Sequence, residues 1–152
     1  MARLQIMEIN GNRIERGAKL RRVRLSDTDL SSANLMLADL SHSSLERSNL
    51  SDADLSDANL AFANLRGANL ANANLSGADL YMADLEGANL SNANLVGAKL
   101  NYTNLQDTDL SKANLSNAKL WDANLKGADL TGTDLTDAIL TDATMPDGTI
   151  HD

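Results

Sequence analysis

Side chains suited to proton transfer or metal binding are scarce here: two histidines, His42 and His151, and no cysteine. Without cysteine there is no thiol catalysis, no disulfide staple and no Cys-based zinc site. Two histidines a hundred residues apart supply neither a nucleophile–base–orienter set nor a transition-metal cage. Acids are plentiful, with 21 Asp and Glu against 13 Lys and Arg for a net charge of −8. They recur at fixed positions of a regular pattern, so no carboxylate pair stands apart for acid–base work. Neither catalysis nor a cofactor is expected. What remains is the chemistry of contact. Phe62, Tyr81, Tyr102 and Trp121 are the only aromatic residues outside histidine. Together with Met82, and with His42 at their rim, they are candidate anchors for a protein partner.

The elements that position these residues follow from one period. Every fifth residue from Leu20 to Leu140 is leucine, without a gap, and Met145 and Ile150 extend the apolar register. Two positions before each leucine stands a small or β-branched residue, mostly Ala, and one position before it usually Asn or Asp. On an α-helix five residues advance about 500°, so the leucines never form a stripe. On a long strand an odd spacing would send them to alternate faces. A short extended leg followed by a corner resolves the conflict. Residues i−2 and i point inward together, and i+1 and i+2 turn the chain. Four such legs close a square coil of twenty residues. Coils stacked at about 4.8 Å make a parallel β-solenoid. The expected architecture is all-β, about seven coils of four pentapeptides spanning 18–152, with residues 1–17 as an N-terminal cap carrying Leu4, Ile6, Ile9 and Ile14. Pro146 cannot donate to a ladder, so 145–152 is read as an edge breaker.

The unit Ala-Asp/Asn-Leu-x-x, seen bare at Ala68-Asn69-Leu70 and Ala78-Asp79-Leu80, resembles the motif of the pentapeptide-repeat proteins and covers residues 18–150. The resemblance implies a right-handed quadrilateral β-helix, a handedness the spacing alone does not supply. Some members of that family protect DNA gyrase from quinolones and look like acidic mimics of duplex DNA. That implies a second possible role, as an acidic ligand of gyrase or another DNA-binding protein.

Stepping through the chain by twenty assigns each residue to a side. Face one holds Leu20, Leu40 and their successors, and it carries all four aromatics: Phe62 and Tyr102 at i+2 with His42 and Met82, Tyr81 and Trp121 at i+1. Rings on successive coils form either a contact surface or a stabilising stack. Face two alternates Glu46, Arg66, Glu86, Gln106 and Lys126, a charge ladder expected to be structural. Faces three and four hold most of the net charge. Their acids sit near the ends, Asp52, Asp54 and Asp57 and then Asp129, Asp134 and Asp137, with Asn69, Asn72, Asn74, Asn89, Asn92 and Asn94 between.

The corners carry expectations too. Gly67, Asn72, Gly77, Gly87, Asn92 and Gly97 at i+2 suit the positive φ of a type II turn. His42, Phe62, Met82 and Tyr102 in the same position suggest a different turn. Asp137, Asp142, Asp147 and Asp152 fall on successive corners of the last coil and read as a repulsive ring that blocks end-to-end stacking; corners of one coil point apart, which argues against a shared cation. Arg13, Arg16, Lys19, Arg21, Arg22 and Arg24 make the opposite end basic, which leaves head-to-tail self-association open. An acidic balance argues against direct binding of nucleic acid or anionic membranes. No apolar run approaches the roughly 20 residues of a membrane span. Glu8 interrupts the opening apolar stretch and no cleavage-like site follows, so no signal peptide is read and a cytoplasmic location is expected.

Overall fold

A computed structural model describes residues 7–152; Leu4 and Ile6, assigned to the cap, lie outside the described residues. β1 (Met7–Ile9) and β2 (Asn12–Ile14) form an antiparallel hairpin, with Met7 opposite Ile14 and Ile9 opposite Asn12. Asn10 and Gly11 both take positive φ, +51° and +75°, as a two-residue turn between right-twisted strands requires. Ile14 is buried in the core and Ile9 packs against it.

From Lys19 onward the backbone pairs with itself at a constant offset of twenty. Parallel bridges join Lys19 to Asp39, Arg24 to Ser44, Asp29 to Asn49 and Asn34 to Asp54, and repeat to Asn124 and Thr144. In the legs from Leu20 to Leu125 the leucine N–H donates to the next coil, as Leu50 to Asn69 at 2.7 Å, and from Asp39 onward the preceding N–H donates to the coil before, as Asn49 to Thr28 at 2.9 Å. The twenty-residue square coil is therefore present.

Its interior is leucine on leucine. Leu25 through Leu90 have no exposure, and Ala38, Ala73, Ala78 and Ala98 fill the spaces between them. Where serine or threonine replaces Ala, the hydroxyl is satisfied by a backbone carbonyl: Ser48 donates to Leu45 at 2.6 Å, Thr108 to Leu105 at 2.7 Å, Thr103 to Leu80 at 2.7 Å and Thr28 to Ser26 at 3.2 Å. Buried polar groups of this kind are tolerated because they are paired.

The corners depart from expectation. All i+2 residues from Arg22 to Asp142 have positive φ, including His42 (+58°), Phe62 (+60°), Met82 (+54°) and Tyr102 (+59°). At every corner but that of Asp27 the N–H of the following residue closes the turn on the leucine carbonyl, as Ala63 on Leu60 at 3.0 Å. These are the marks of a type II turn, so the proposed different turn in the His42 column is wrong. The reason is the ladder. From Arg22 to Gly127 each i+2 N–H donates to the i+1 carbonyl one coil on, His42 to Ala61 and Phe62 to Tyr81, both at 2.9 Å. A corner that changed turn type would lose that bond and misplace its neighbours. The left-handed strain of about 1–2 kcal/mol per residue is accepted instead. At Leu37, φ +61° and half exposed, the ladder bond to Ser56 at 3.0 Å needs only the backbone, so glycine would keep it without the strain. Leu37→Gly is expected to stabilise the fold by about 1 kcal/mol, seen as a rise of about 2–4 °C in the thermal midpoint.

The far end also differs. Parallel pairing stops at Thr144, and Pro146-Asp147-Gly148 turns the chain back so that Thr144 pairs antiparallel with Ile150. The Gly148 N–H bonds to Met145 at 2.8 Å with Gly148 at φ +86°, the pattern of a three-residue hairpin loop. Ile150 therefore leaves the apolar register, and its side chain is exposed. Asp147 lies in this hairpin turn and Asp152 just past the returning strand, so the expected ring of four corner aspartates reduces to Asp137 and Asp142. No helix among the described residues is long and apolar enough to cross a membrane.

A candidate protein-interaction face

The ladder dictates how the aromatic residues meet. A corner N–H reaches the carbonyl nineteen residues on, so side chains at i+2 and i+21 lie side by side. His42 and Phe62 stack in parallel with ring centroids 4.8 Å apart and an interplanar angle of 4°. Phe62 then meets Tyr81 edge-on at 5.6 Å, Tyr81 meets Tyr102 at 5.7 Å, and Tyr102 meets Trp121 at 4.9 Å. These distances and angles are the favoured ones for aromatic pairs. The result is one continuous zigzag of five rings up face one. Met82 occupies the i+2 column between Phe62 and Tyr102. Phe62, Met82 and Trp121 are 44%, 46% and 40% exposed, a large apolar strip on an otherwise polar rod.

Two further residues belong to this strip. The Trp121 indole N–H donates to the Asp142 carboxylate at 3.1 Å, which ends the stack on a charged group. Asn101 lies between Tyr81 and Trp121 in the i+1 column, and its side-chain oxygen is buried without a hydrogen-bond partner. The signal for Asp142 was in the sequence: it stands 21 residues beyond Trp121, the offset that joins Tyr81 to Tyr102. Partial removal of water holds the Tyr102 phenol above its ordinary value, helped by Asp122, so the ring stays neutral at physiological pH.

The Asn and Asp before each leucine are backbone braces. Each accepts the N–H two residues ahead, as Asn59 from Ala61 at 3.0 Å and Asp79 from Tyr81 at 3.1 Å, so these side chains fix the corners that carry the rings. They also bridge coils: Asn49 donates to Asp29 at 3.1 Å, and Asn69 to Asn49 at 3.1 Å. Hydroxyls add to the brace. Ser41, Thr136 and Thr149 donate to Asp39, Asp134 and Asp147 at 2.7, 2.6 and 2.6 Å. Those hydroxyls first, with help from backbone N–H groups and against an opposing effect of burial that at Asp39 exceeds the backbone contribution, hold the three carboxyls below the ordinary aspartate value. A depressed folded pKa favours the native state above the unfolded value of about 3.9 and ceases to do so as pH falls through the folded value. Stability in denaturant is therefore expected to hold from pH 7 to about 4 and then to decline steadily on further acidification. Chemical unfolding across that range checks it.

Face two is bound by ion pairs, with one change of partner. Arg66 forks onto Glu86 at 2.5 and 2.8 Å and touches Asp84 at 3.2 Å. Glu46 pairs with Arg47 at 2.6 Å, and Arg47 also grips Asp27 at 2.8 Å. The expected Glu46–Arg66 rung does not form, because the neighbouring corner arginine reaches Glu46 first. Among the described residues no group of three His, Asp or Glu is placed to hold a metal.

The repeat itself settles the family. A family model for pentapeptide repeats, in eight copies, matches residues 16–52, 53–92, 83–117 and 108–147. The chain is a member of the pentapeptide-repeat family. Its square coil is the all-β, right-handed quadrilateral β-helix of these proteins. Among solved pentapeptide-repeat structures it is similar to HetL, involved in heterocyst differentiation regulation in the cyanobacterium Nostoc sp. strain PCC 7120, with 34% identity over 88% of this chain and 83% of that one and a TM-score of 0.47. It is 35% identical to alr5209 from Nostoc PCC 7120, covering 60% of this chain and 83% of that one, with a TM-score of 0.52. A trypsin-treated form of QnrB1, a plasmid-mediated fluoroquinolone resistance protein, aligns at 22% identity over 78% of this chain and 67% of that one, TM-score 0.53; that likeness concerns the fold alone. No curated protein matches the chain.

Proposed function

We propose that this pentapeptide-repeat protein is a non-enzymatic, cytoplasmic scaffold that binds a protein partner through face one. Phe62, Tyr81, Met82, Tyr102 and Trp121 are its apolar anchors, and His42 is the rim. The observation that carries the reading is the unbroken contact from His42 to Trp121 with its outer members near half exposed. Aromatic side chains pre-ordered by neighbours lose little freedom on binding, and contiguous exposed apolar surface marks contact sites. The alternative is an acidic ligand of DNA gyrase using faces three and four. The clusters Asp52, Asp54, Asp57 and Asp129, Asp134, Asp137 favour it, and the uncharged asparagines between them weaken it.

Replacing Tyr102 and Trp121 together by Ser separates these readings. Loss of captured partners, with the β-sheet circular dichroism unchanged, is the expected result. Unaltered binding by the folded double variant would remove face one from consideration. Inhibition of gyrase supercoiling by both the wild type and the variant would establish the acidic faces in its place.

A further inference from the structure

We propose that the C-terminal end of this solenoid binds the N-terminal end of a second copy, so that rods join head to tail. The two ends are built differently. At the N-terminal end the core is closed: Leu20 is 2% exposed, and Leu25, Leu30 and Leu35 not at all. At the other end Leu130, Leu135 and Leu140 are only partly buried, and Ile139 beside them is 49% exposed. The hairpin at 144–150 covers one side of that end, through the bonds of Asp142 and His151. Elsewhere the N–H groups of Leu130, Gly132, Leu135, Asp137 and Leu140 have no backbone acceptor among the described residues, whereas the equivalent groups one coil below all have one. An open edge with apolar flanks is a template for association.

Charge decides what covers it. Residues 127–152 contain six aspartates and no lysine or arginine. Two such ends facing each other would oppose like charges, which disfavours a symmetric dimer. The end around residues 7–24 carries Arg13, Arg16, Lys19, Arg21, Arg22 and Arg24 against Glu8 and Glu15. All six cations are exposed, and among the described residues only Arg13 makes an ion pair, with Glu15 at 3.6 Å. The matching surface for an acidic tail is thus the basic head of another copy. On this proposal the terminal aspartates exclude a second tail and attract a head. A head-to-tail contact does not close on itself, so growth continues past the dimer.

Sedimentation velocity of the purified full chain tests this at about 0.01 M and about 1 M NaCl, where charges are screened over about 30 Å and about 3 Å. Mass rising with concentration beyond two copies at low salt, and reverting to monomer at high salt, is expected. Asp137→Lys with Asp152→Lys should abolish growth. Lysine is compatible with a corner of this kind, since Lys112 occupies one at φ +58°. That variant retains a basic head, so a small proportion added to wild-type protein should shorten its assemblies by capping tails. A monomer at low salt, growth that ignores salt, arrest at a dimer, or assemblies unchanged by the capping variant would each overturn the proposal. So would loss of growth on Tyr102→Ser with Trp121→Ser, which would place the contact on face one.

Discussion

Leu75→Asp is expected to abolish cooperative folding of the central coils, and Ala73→Leu to lower the thermal midpoint by about 2–12 °C. Both positions are fully buried. Leu75 is stacked between Leu55 and Leu95, so a carboxylate there has no water and no cation. An unpaired buried charge costs several kcal/mol after relaxation, a large share of the ~5–15 kcal/mol that holds a typical domain together. The solenoid makes this worse in a particular way. Coils contact only their neighbours, so stability is close to a sum of coil and interface contributions. A defect at residue 75 removes the central interfaces and leaves two short stacks. Ala73 has Ala53 and Ala93 one coil away on either side, each 1% exposed, so three extra heavy atoms must displace a leucine or part the coils. Overpacking of that kind costs about 1–3 kcal/mol. Circular dichroism melts give the midpoints. Amide hydrogen exchange locates the damage, with protection lost first between residues 50 and 100. Native-like melting of both variants would mean that the leucine column is not the core.

The logic behind that prediction is also what made the fold legible. A five-residue period admits one compact solution, and once Leu20 and Leu40 are placed over each other every outward residue has an address. That is why the spacing alone puts the aromatic residues on one face, His42, Phe62 and Tyr102 in one column and Tyr81 and Trp121 in the next, although not the edge-on contacts between the columns. Three features were not legible in this way. The conformation of Phe62 and Tyr102 is set by hydrogen bonds to Tyr81 and Trp121, so intrinsic φ preference at a single residue misled. Ile150 fits the apolar register, yet the turn at Pro146-Asp147-Gly148 competes with it and wins, because Pro146 has no N–H for the ladder and Gly148 at φ +86° closes the loop on Met145. Glu46 faced Arg66 in a one-dimensional column, but the partner is decided in three dimensions by the reach of Arg47. Each miss is a place where a neighbour, rather than the residue's own type, decides the outcome.

The same dependence on neighbours makes the residue before each leucine a sensitive one, and Asp54→Ala should lower stability by about 2–3 kcal/mol. Asp54 accepts three hydrogen bonds: from the Ser56 backbone N–H at 3.0 Å, the Ser56 hydroxyl at 2.6 Å and the Asn74 amide at 3.2 Å. Ser56 is buried, so its two donors would find no water to replace the carboxylate. Leaving a buried donor unpaired costs more than a typical hydrogen bond contributes. Asn74 would also lose its anchor, and Asn94 is hung in turn on Asn74 at 3.2 Å, so the loss is passed along the column. Asp54→Asn provides the contrast. It keeps an acceptor oxygen in place and removes only the charge, and asparagine already fills this column at Asn34, Asn74, Asn94 and Asn114. Its unfolding midpoint in urea should lie within about 0.5 kcal/mol of the wild type. A destabilised asparagine variant would mean that charge braces the corner. Two equally mild variants would mean that the corner is held by its backbone turn, with the side chain a passenger.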